Sequence, residues 1–135
     1  MSRATSVGAA ALKLRQIILN IVGNAVDAMK FGGVLSLRCR KATDAKSGMA
    51  GIRFTIADTG TGMDPATTAR MFEAFFSTKG IGGAGLGLWV TQDLVEKNAG
   101  TISARSSIRE GHRGTVFNLF FPSSNPDSAP VVPSV

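Results

Sequence analysis

Apolar residues recur at spacings of three and four between residues 10 and 30. Leu14, Ile17, Ile18, Ile21, Ala25, Ala28 and Met29 share one side of a 3.6-residue repeat, which predicts a long helix with one face in a core. The repeat stops at Phe31-Gly32-Gly33 and the period then shortens to two. Residues 34–40 and 51–57 alternate as strands joined by the polar loop 42–50, which predicts an antiparallel pair. Asp64-Pro65 puts a capping carboxylate ahead of a proline at the first helical position, so residues 66–72 are predicted to form a short helix. A glycine-rich segment leads into a helix over about 86–98, stopped by Gly100. Residues 101–105 and 115–121 alternate again, with 108–114 as the turn. The sum is an α/β two-layer sandwich: a mixed, largely antiparallel sheet of four to five strands with about three helices on one face. Residues 1–122 read as one domain. The stretch 123–135, rich in Pro and Ser and poor in charge, reads as a disordered tail or linker.

With 135 residues and 44% hydrophobic content the chain can bury a core as one globular domain. No apolar run approaches the roughly 18 residues of a membrane span, and Met1-Ser2-Arg3-Ala4-Thr5-Ser6 opens no secretory signal. A soluble chain in the cytoplasm, without membrane contact of its own, is the expectation; a membrane anchor of a longer protein would lie outside this sequence. The single cysteine, Cys39, excludes an internal disulfide, and its place in a strand predicts a buried reduced thiol. A net charge of +6 raises nucleic-acid binding as a possibility, but the basic residues are scattered apart from Arg38-Cys39-Arg40-Lys41 and no zinc or helix-turn-helix pattern accompanies them. Nucleic acid is therefore not expected. The charge suits a nucleotide phosphate or an acidic protein partner.

Chemistry concentrates in four places. On the first helix Lys13, Gln16, Asn20, Asn24 and Asp27 form a polar stripe beside the apolar face. Asn and Asp are poor helix-interior residues, so the stripe is either a solvated back face or a set of amide oxygens facing a hydrated Mg²⁺ shared with phosphates. Asp58-Thr59-Gly60-Thr61-Gly62 follows the second strand. It is either a tight turn with an Asx bond or a carboxylate placed to accept from an exocyclic amine such as that of adenine, beside glycines that let a ring lie flat. Met71-Phe72-Glu73-Ala74-Phe75-Phe76-Ser77-Thr78-Lys79 reads as core aromatics for most of its phenylalanines, with Lys79 either solvated or placed to meet phosphate, and the run from Gly80 to Leu88 then has five glycines in nine positions. Glycines admit positive φ and close approach, and the free N–H groups of the following helix attract anions, so the run suggests a phosphate site.

In this order the four pieces resemble the catalytic ATP-binding domain of sensor histidine kinases, in the GHKL ATPase superfamily. Residues 14–25 look like the family's N box, 58–62 its first glycine box, 72–79 its F box and 83–88 its second glycine box; Gly114 to Phe117, closing on Phe121-Pro122, is similar to the domain's last strand. The resemblance runs from about Leu12 to Pro122. It implies ATP and Mg²⁺ as ligands, with Asn24 as the metal ligand and Asn20 facing the phosphates or the metal's water shell. Asp58 would hold the adenine amine, with Gly60 and Gly62 shaping the base pocket and Thr115 supporting it. Lys79 would neutralise phosphate charge, with Asn20 its catalytic companion. The amides of Gly83, Gly85, Leu86 and Gly87 would cradle the triphosphate, and Phe75 and Phe76 would anchor a short lid over 77–84. The implied partners are a histidine-bearing dimerisation domain of the same kinase and the receiver domain of a response regulator.

Two positions depart from the family or from its hydrolytic branch. Ala84 stands where a Thr is usual, removing one hydroxyl from the phosphate loop. Asn20 stands where hydrolytic relatives such as gyrase carry a Glu, and an amide cannot serve as general base, which favours phosphoryl transfer to a protein over hydrolysis. His112, in the glycine-flanked Glu110-Gly111-His112-Arg113-Gly114, lacks the context of a phosphoacceptor and reads as a surface turn residue; Trp89 reads as a packing residue. The chain alone is thus expected to bind ATP without phosphorylating itself. Competing readings are a serine kinase of the anti-sigma type, a non-catalytic nucleotide-binding interaction module, and a basic nucleic-acid binder with steeply salt-dependent affinity.

Overall fold

The computed structural model describes residues 2–74 and 87–123, with side chains from residue 13. The elements are α1 (Ser2–Ala28), β1 (Leu35–Thr43), β2 (Ala50–Asp58), α2 (Pro65–Arg70), α3 (Gly87–Lys97), β3 (Thr101–Ser107) and β4 (Gly114–Pro122). They form the expected two-layer sandwich. The strands lie in the order β1-β2-β4-β3, and all three pairings among the described residues are antiparallel. The expected tail falls outside the described residues from 124 onward.

Ile17 and Ile21 of α1 meet Ile56 of β2, Val95 of α3 and Leu119 of β4 in one buried cluster. These are the apolar positions whose period defined the elements. The helix starts at Ser2 rather than near residue 10. Periodicity detects burial of one face, whereas Ala-rich sequence such as Ala9-Ala10-Ala11 extends a helix by propensity alone. At α2, Asp64 Oδ1 accepts from the Thr67 N–H at 2.7 Å and proline occupies the first turn. The bond from the Thr67 backbone, with its side chain second, holds the Asp64 carboxyl below its ordinary value. Its support for α2 is therefore present above the unfolded aspartate range near pH 4 and is lost on acidification through the lower folded value.

The edge strand β1 corrects one expectation. Cys39 is exposed, not buried. Register places Leu37 opposite Ile56 and Cys39 opposite Phe54, so these side chains are on the helix side of the sheet. However, α1 and α3 cover β2, β4 and β3, and no β1 residue joins the buried core among the described residues. An alternating pattern sets which face a residue occupies but not whether a helix reaches over it.

The end of α3 is closed by two backbone bonds, Ala99 N–H to Glu96 C=O at 3.0 Å and Gly100 N–H to Val95 C=O at 2.9 Å. This double closure puts Ala99 in the left-handed region at φ +63°. Gly100 then packs its bare Cα against the Phe121 ring, where a Cβ would approach to 2.7 Å. Glycine is the unstrained residue for the Ala99 position. Ala99→Gly is expected to raise unfolding stability by about 0.5 to 1 kcal/mol, measured by denaturant unfolding; a loss of stability would show that the left-handed residue carries no strain.

Candidate functional site

The three buried polar side chains among the described residues are Asp58, Thr91 and Thr115. They belong to three different elements, yet each is tied to a residue singled out in the sequence. Polar groups are costly to bury unless they are bonded, so their placement marks where the fold keeps chemistry inside.

Asp58 ends β2 and lies directly opposite Thr115 at the start of β4, while Ser106 of β3 lies opposite Thr115 on its other side. One row therefore crosses three strands. The Thr115 and Ser106 hydroxyls are 2.7 Å apart. Ser106 Oγ also accepts from the Met63 N–H at 2.8 Å and donates to the Gly114 carbonyl at 3.0 Å. It fixes the loop after Gly62 against the start of β4. The sequence reading missed Ser106; the available signal was a hydroxyl at the inward position of a strand that otherwise places Ile102 and Ala104 inward.

At Asp58 the turn with an Asx bond is the alternative that the structure shows. Oδ1 accepts from the Gly60 N–H at 2.8 Å, an Asx turn, and the same carboxylate is buried at the end of the strand rather than solvated. The glycines of this loop are required by neighbouring protein. A Cβ on Gly60 would come within 2.7 Å of Ala28, and Gly62, at φ +73°, would drive a side chain into the Ser107 carbonyl. Across the loop, Thr61 donates to the Ala28 carbonyl at 3.0 Å and the Thr59 hydroxyl accepts from the Val34 N–H at 2.9 Å. These bonds stitch the Asp58 loop to the end of α1.

That stitch sets where the amide stripe lies. Asn20, Asn24 and Ala28 follow at intervals of four, hence on one helical face, and Ala28 abuts Gly60. Both asparagines are half-buried, while Lys13, Gln16 and Asp27 of the same stripe are exposed. Gln16 Nε2 donates to Asn20 Oδ1 at 3.1 Å, and Asn20 Nδ2 reaches Thr91 Oγ1 at 3.4 Å. Thr91 sits near the start of α3 and is 1% exposed. It also went unremarked in the sequence, although a threonine on the face shared by Leu88 and Val95 is a polar residue in a core position. Gly87 opens α3 at φ +67°, and the start of a helix is where backbone N–H groups point outward along the axis.

Thus Asn20, Asn24, Asp58, Gly60, Gly62, Gly87 and Thr115 are placed by α1, β2, α3 and β4 around one end of the sheet. Lys79, Gly83, Gly85 and Leu86, with Phe75, Phe76 and Ala84, lie outside the described residues. His112 is an exposed turn residue, as expected, its N–H bonded to the Arg109 carbonyl at 2.8 Å. Trp89 is half-buried. Among the described residues no three His, Cys, Asp or Glu side chains gather as a metal site, and no helix is long and apolar enough to cross a membrane.

Similarity to known proteins coincides with this geometry. The sensor histidine kinase ZraS of Klebsiella oxytoca is 36% identical over 110 residues, covering 82% of this chain and 22% of that protein. The sensor kinase CckA of Brucella abortus is 33% identical over 133 residues, covering 88% of this chain and 14% of that protein. The solved structure of full-length ShkA in complex with AMPPNP superposes with a TM-score of 0.63 at 35% identity, over 84% of this chain and 23% of that one. The chain thus spans less than a quarter of each of these relatives. The model of the histidine kinase-, DNA gyrase B-, and HSP90-like ATPases matches residues 9–125, and the chain belongs to that family.

Proposed function

We propose that this chain is the ATP-binding catalytic domain of a two-component sensor histidine kinase. It binds Mg²⁺-ATP and delivers the γ-phosphoryl group to a histidine on a dimerisation domain outside these residues, for onward transfer to an aspartate of a response regulator. Residues 1–122 form the working unit. The observation that carries the reading is the convergence of Asp58, Thr115 and the Asn20–Asn24 face at one end of the sheet, beside the α3 N-terminus. The names of the relatives support the kinase class.

In this reading Asp58 accepts from the adenine amine while Gly60 holds its other bond, and Thr115, fixed by Ser106, keeps the carboxylate's rung in place. Asn20 and Asn24 supply neutral oxygen donors, which fit a hard cation such as Mg²⁺. With no acidic cage among the described residues, they fit an ion held jointly with phosphates. When bound, Mg²⁺ neutralises phosphate charge and aligns the transferred group. Asn24 orients that face and Asn20, positioned by Gln16 and Thr91, completes it. An amide cannot take a proton from water, so this face suits transfer to a protein nucleophile. Lys79 and the amides of Gly83, Gly85, Leu86 and Gly87 are assigned to the phosphates on the resemblance, Gly87 with the added support of its place at the start of α3.

Titration with a non-hydrolysable ATP analogue tests the site. Asp58→Asn is expected to lose about tenfold or more in affinity, and Asn24→Ala to lose the Mg²⁺ dependence of binding. Unchanged binding in both variants would sink the assignment. Ser106→Ala leaves the Met63 N–H without its acceptor. It should cost about 1 to 2 kcal/mol of stability and weaken binding several-fold while keeping the Mg²⁺ dependence; wild-type stability and affinity would remove Ser106 from the site. Incubation of the chain alone with radiolabelled ATP should yield no phosphohistidine, whereas adding a separately purified dimerisation domain of the same kinase should yield it there. Stable label on His112 would contradict the reading.

A further inference from the structure

Among the described residues, the sheet face turned away from the helices carries four arginines and no acid. Register fixes the arrangement: Arg38 and Arg40 of β1, Arg53 of β2 and Arg105 of β3 share the parity of Thr55 and Asn118, opposite to that of the buried Ile56 and Phe117. Arg38, Arg40 and Arg105 are exposed and Arg53 is half-buried. At about 4.8 Å between strands, the arginines spread over roughly 14 Å from β1 to β3. Among the described residues none of the four forms an ion pair. One acid, Asp44 in the β1–β2 turn, feels the Arg53 charge, but its carboxylate already accepts from the Ser47 N–H at 2.9 Å.

This is more than a solvated face requires. Arg40 lies directly opposite Arg53, and like charges facing across a strand pair cost stability that a single Glu at either position would recover. Arg53 is further held with its guanidinium 5.7 Å from the centre of the Phe120 ring. Beside it, the Thr55 hydroxyl donates to Asn118 Oδ1 at 3.1 Å and gives the face a fixed polar centre. Asp58, Thr115 and Thr91, on which the proposed nucleotide site rests, are on the helix side of the sheet, so this charge does not serve them.

We infer that the open face of the sheet is a docking surface for an acidic patch on a folded partner protein, and that the partner can sit there while the nucleotide site is filled. Charge complementarity selects carboxylates. Single-stranded nucleic acid is disfavoured because the aromatic ring on this face, Phe120, is 5% exposed and lies under Arg53, leaving no platform for a base. A four-stranded sheet is also broader than the roughly 12 Å major groove that admits a two-stranded ribbon. The interface is electrostatically steered and of the transient kind, with affinity falling as salt rises.

A polyglutamate peptide of about 20 residues serves as the probe, titrated at about 50 mM salt with backbone amide shifts recorded by NMR. Shift changes should map to the outward positions of β1, β2, β4 and β3. The double variant Arg38→Glu, Arg40→Glu should weaken binding by about tenfold or more. The variant Lys30→Glu, Lys97→Glu, with the same net charge, should lose about threefold or less. Folding should survive the first variant because Glu at position 40 faces Arg53; Arg105→Glu, on the opposite edge, gives an independent loss of about threefold. Binding of the ATP analogue should be unchanged in all of them. Equal losses in the two double variants would overturn the inference, as would shifts confined to the helix side. Tighter binding of an oligothymidylate or of phosphatidylserine vesicles to the same face would replace the protein partner with another class.

Discussion

The structure depends on how α1 is docked. Ile17 and Ile21 anchor the helix in the core, while the Ala28 carbonyl takes the Thr61 N–H and the Ala28 side chain fills the space that glycine leaves at position 60. Buried apolar area fixes the rotation of the helix, and the backbone bond fixes its distance along the axis. Rotation decides whether Asn20 and Asn24 point inward. Translation decides how far they lie from Asp58. A helix held by hydrophobic contact alone could slide by a residue with little loss, since apolar contact is non-directional; the bond at its end removes that freedom.

The same division explains what the sequence disclosed. Elements with a strong period, such as the apolar face of α1 and the alternation of β2 and β4, were legible because burial imposes the period. So was the Asp64-Pro65 start of α2, where local bonding is written in two adjacent residues. Asn20, Asn24 and Asp58 were legible as unusual polar residues and gained meaning from the family resemblance. Thr91 and Ser106 were not found, because a single hydroxyl among apolar residues looks like an ordinary substitution until its partners, 71 residues away for Asn20 and Thr91, are known. Cys39 shows the opposite failure: its strand was read correctly, but coverage by a helix is a property of the layer and not of the strand.

The two faces of the sheet divide labour through parity. Moving one residue along β2 passes from Arg53, under solvent and over Phe120, to Phe54 in the core, and four rungs on the strand ends at Asp58. A slip of one residue in the β1–β2 register would carry Arg38 and Arg40 to the helix side and turn Leu37 and Cys39 to the arginine face.

Asp58 and Thr115 are two ends of a single rung, closed on the far side by Ser106. A recognition group carried on a rung inherits the stiffness of the ladder, and cannot be reshaped by loop movement as a group on a connecting segment can. If a base is read there, it is read by a template set during folding, and the time needed to alter that template is the time needed to fray the ends of β2 and β4. A substitution elsewhere that leaves this rung intact then leaves the template intact.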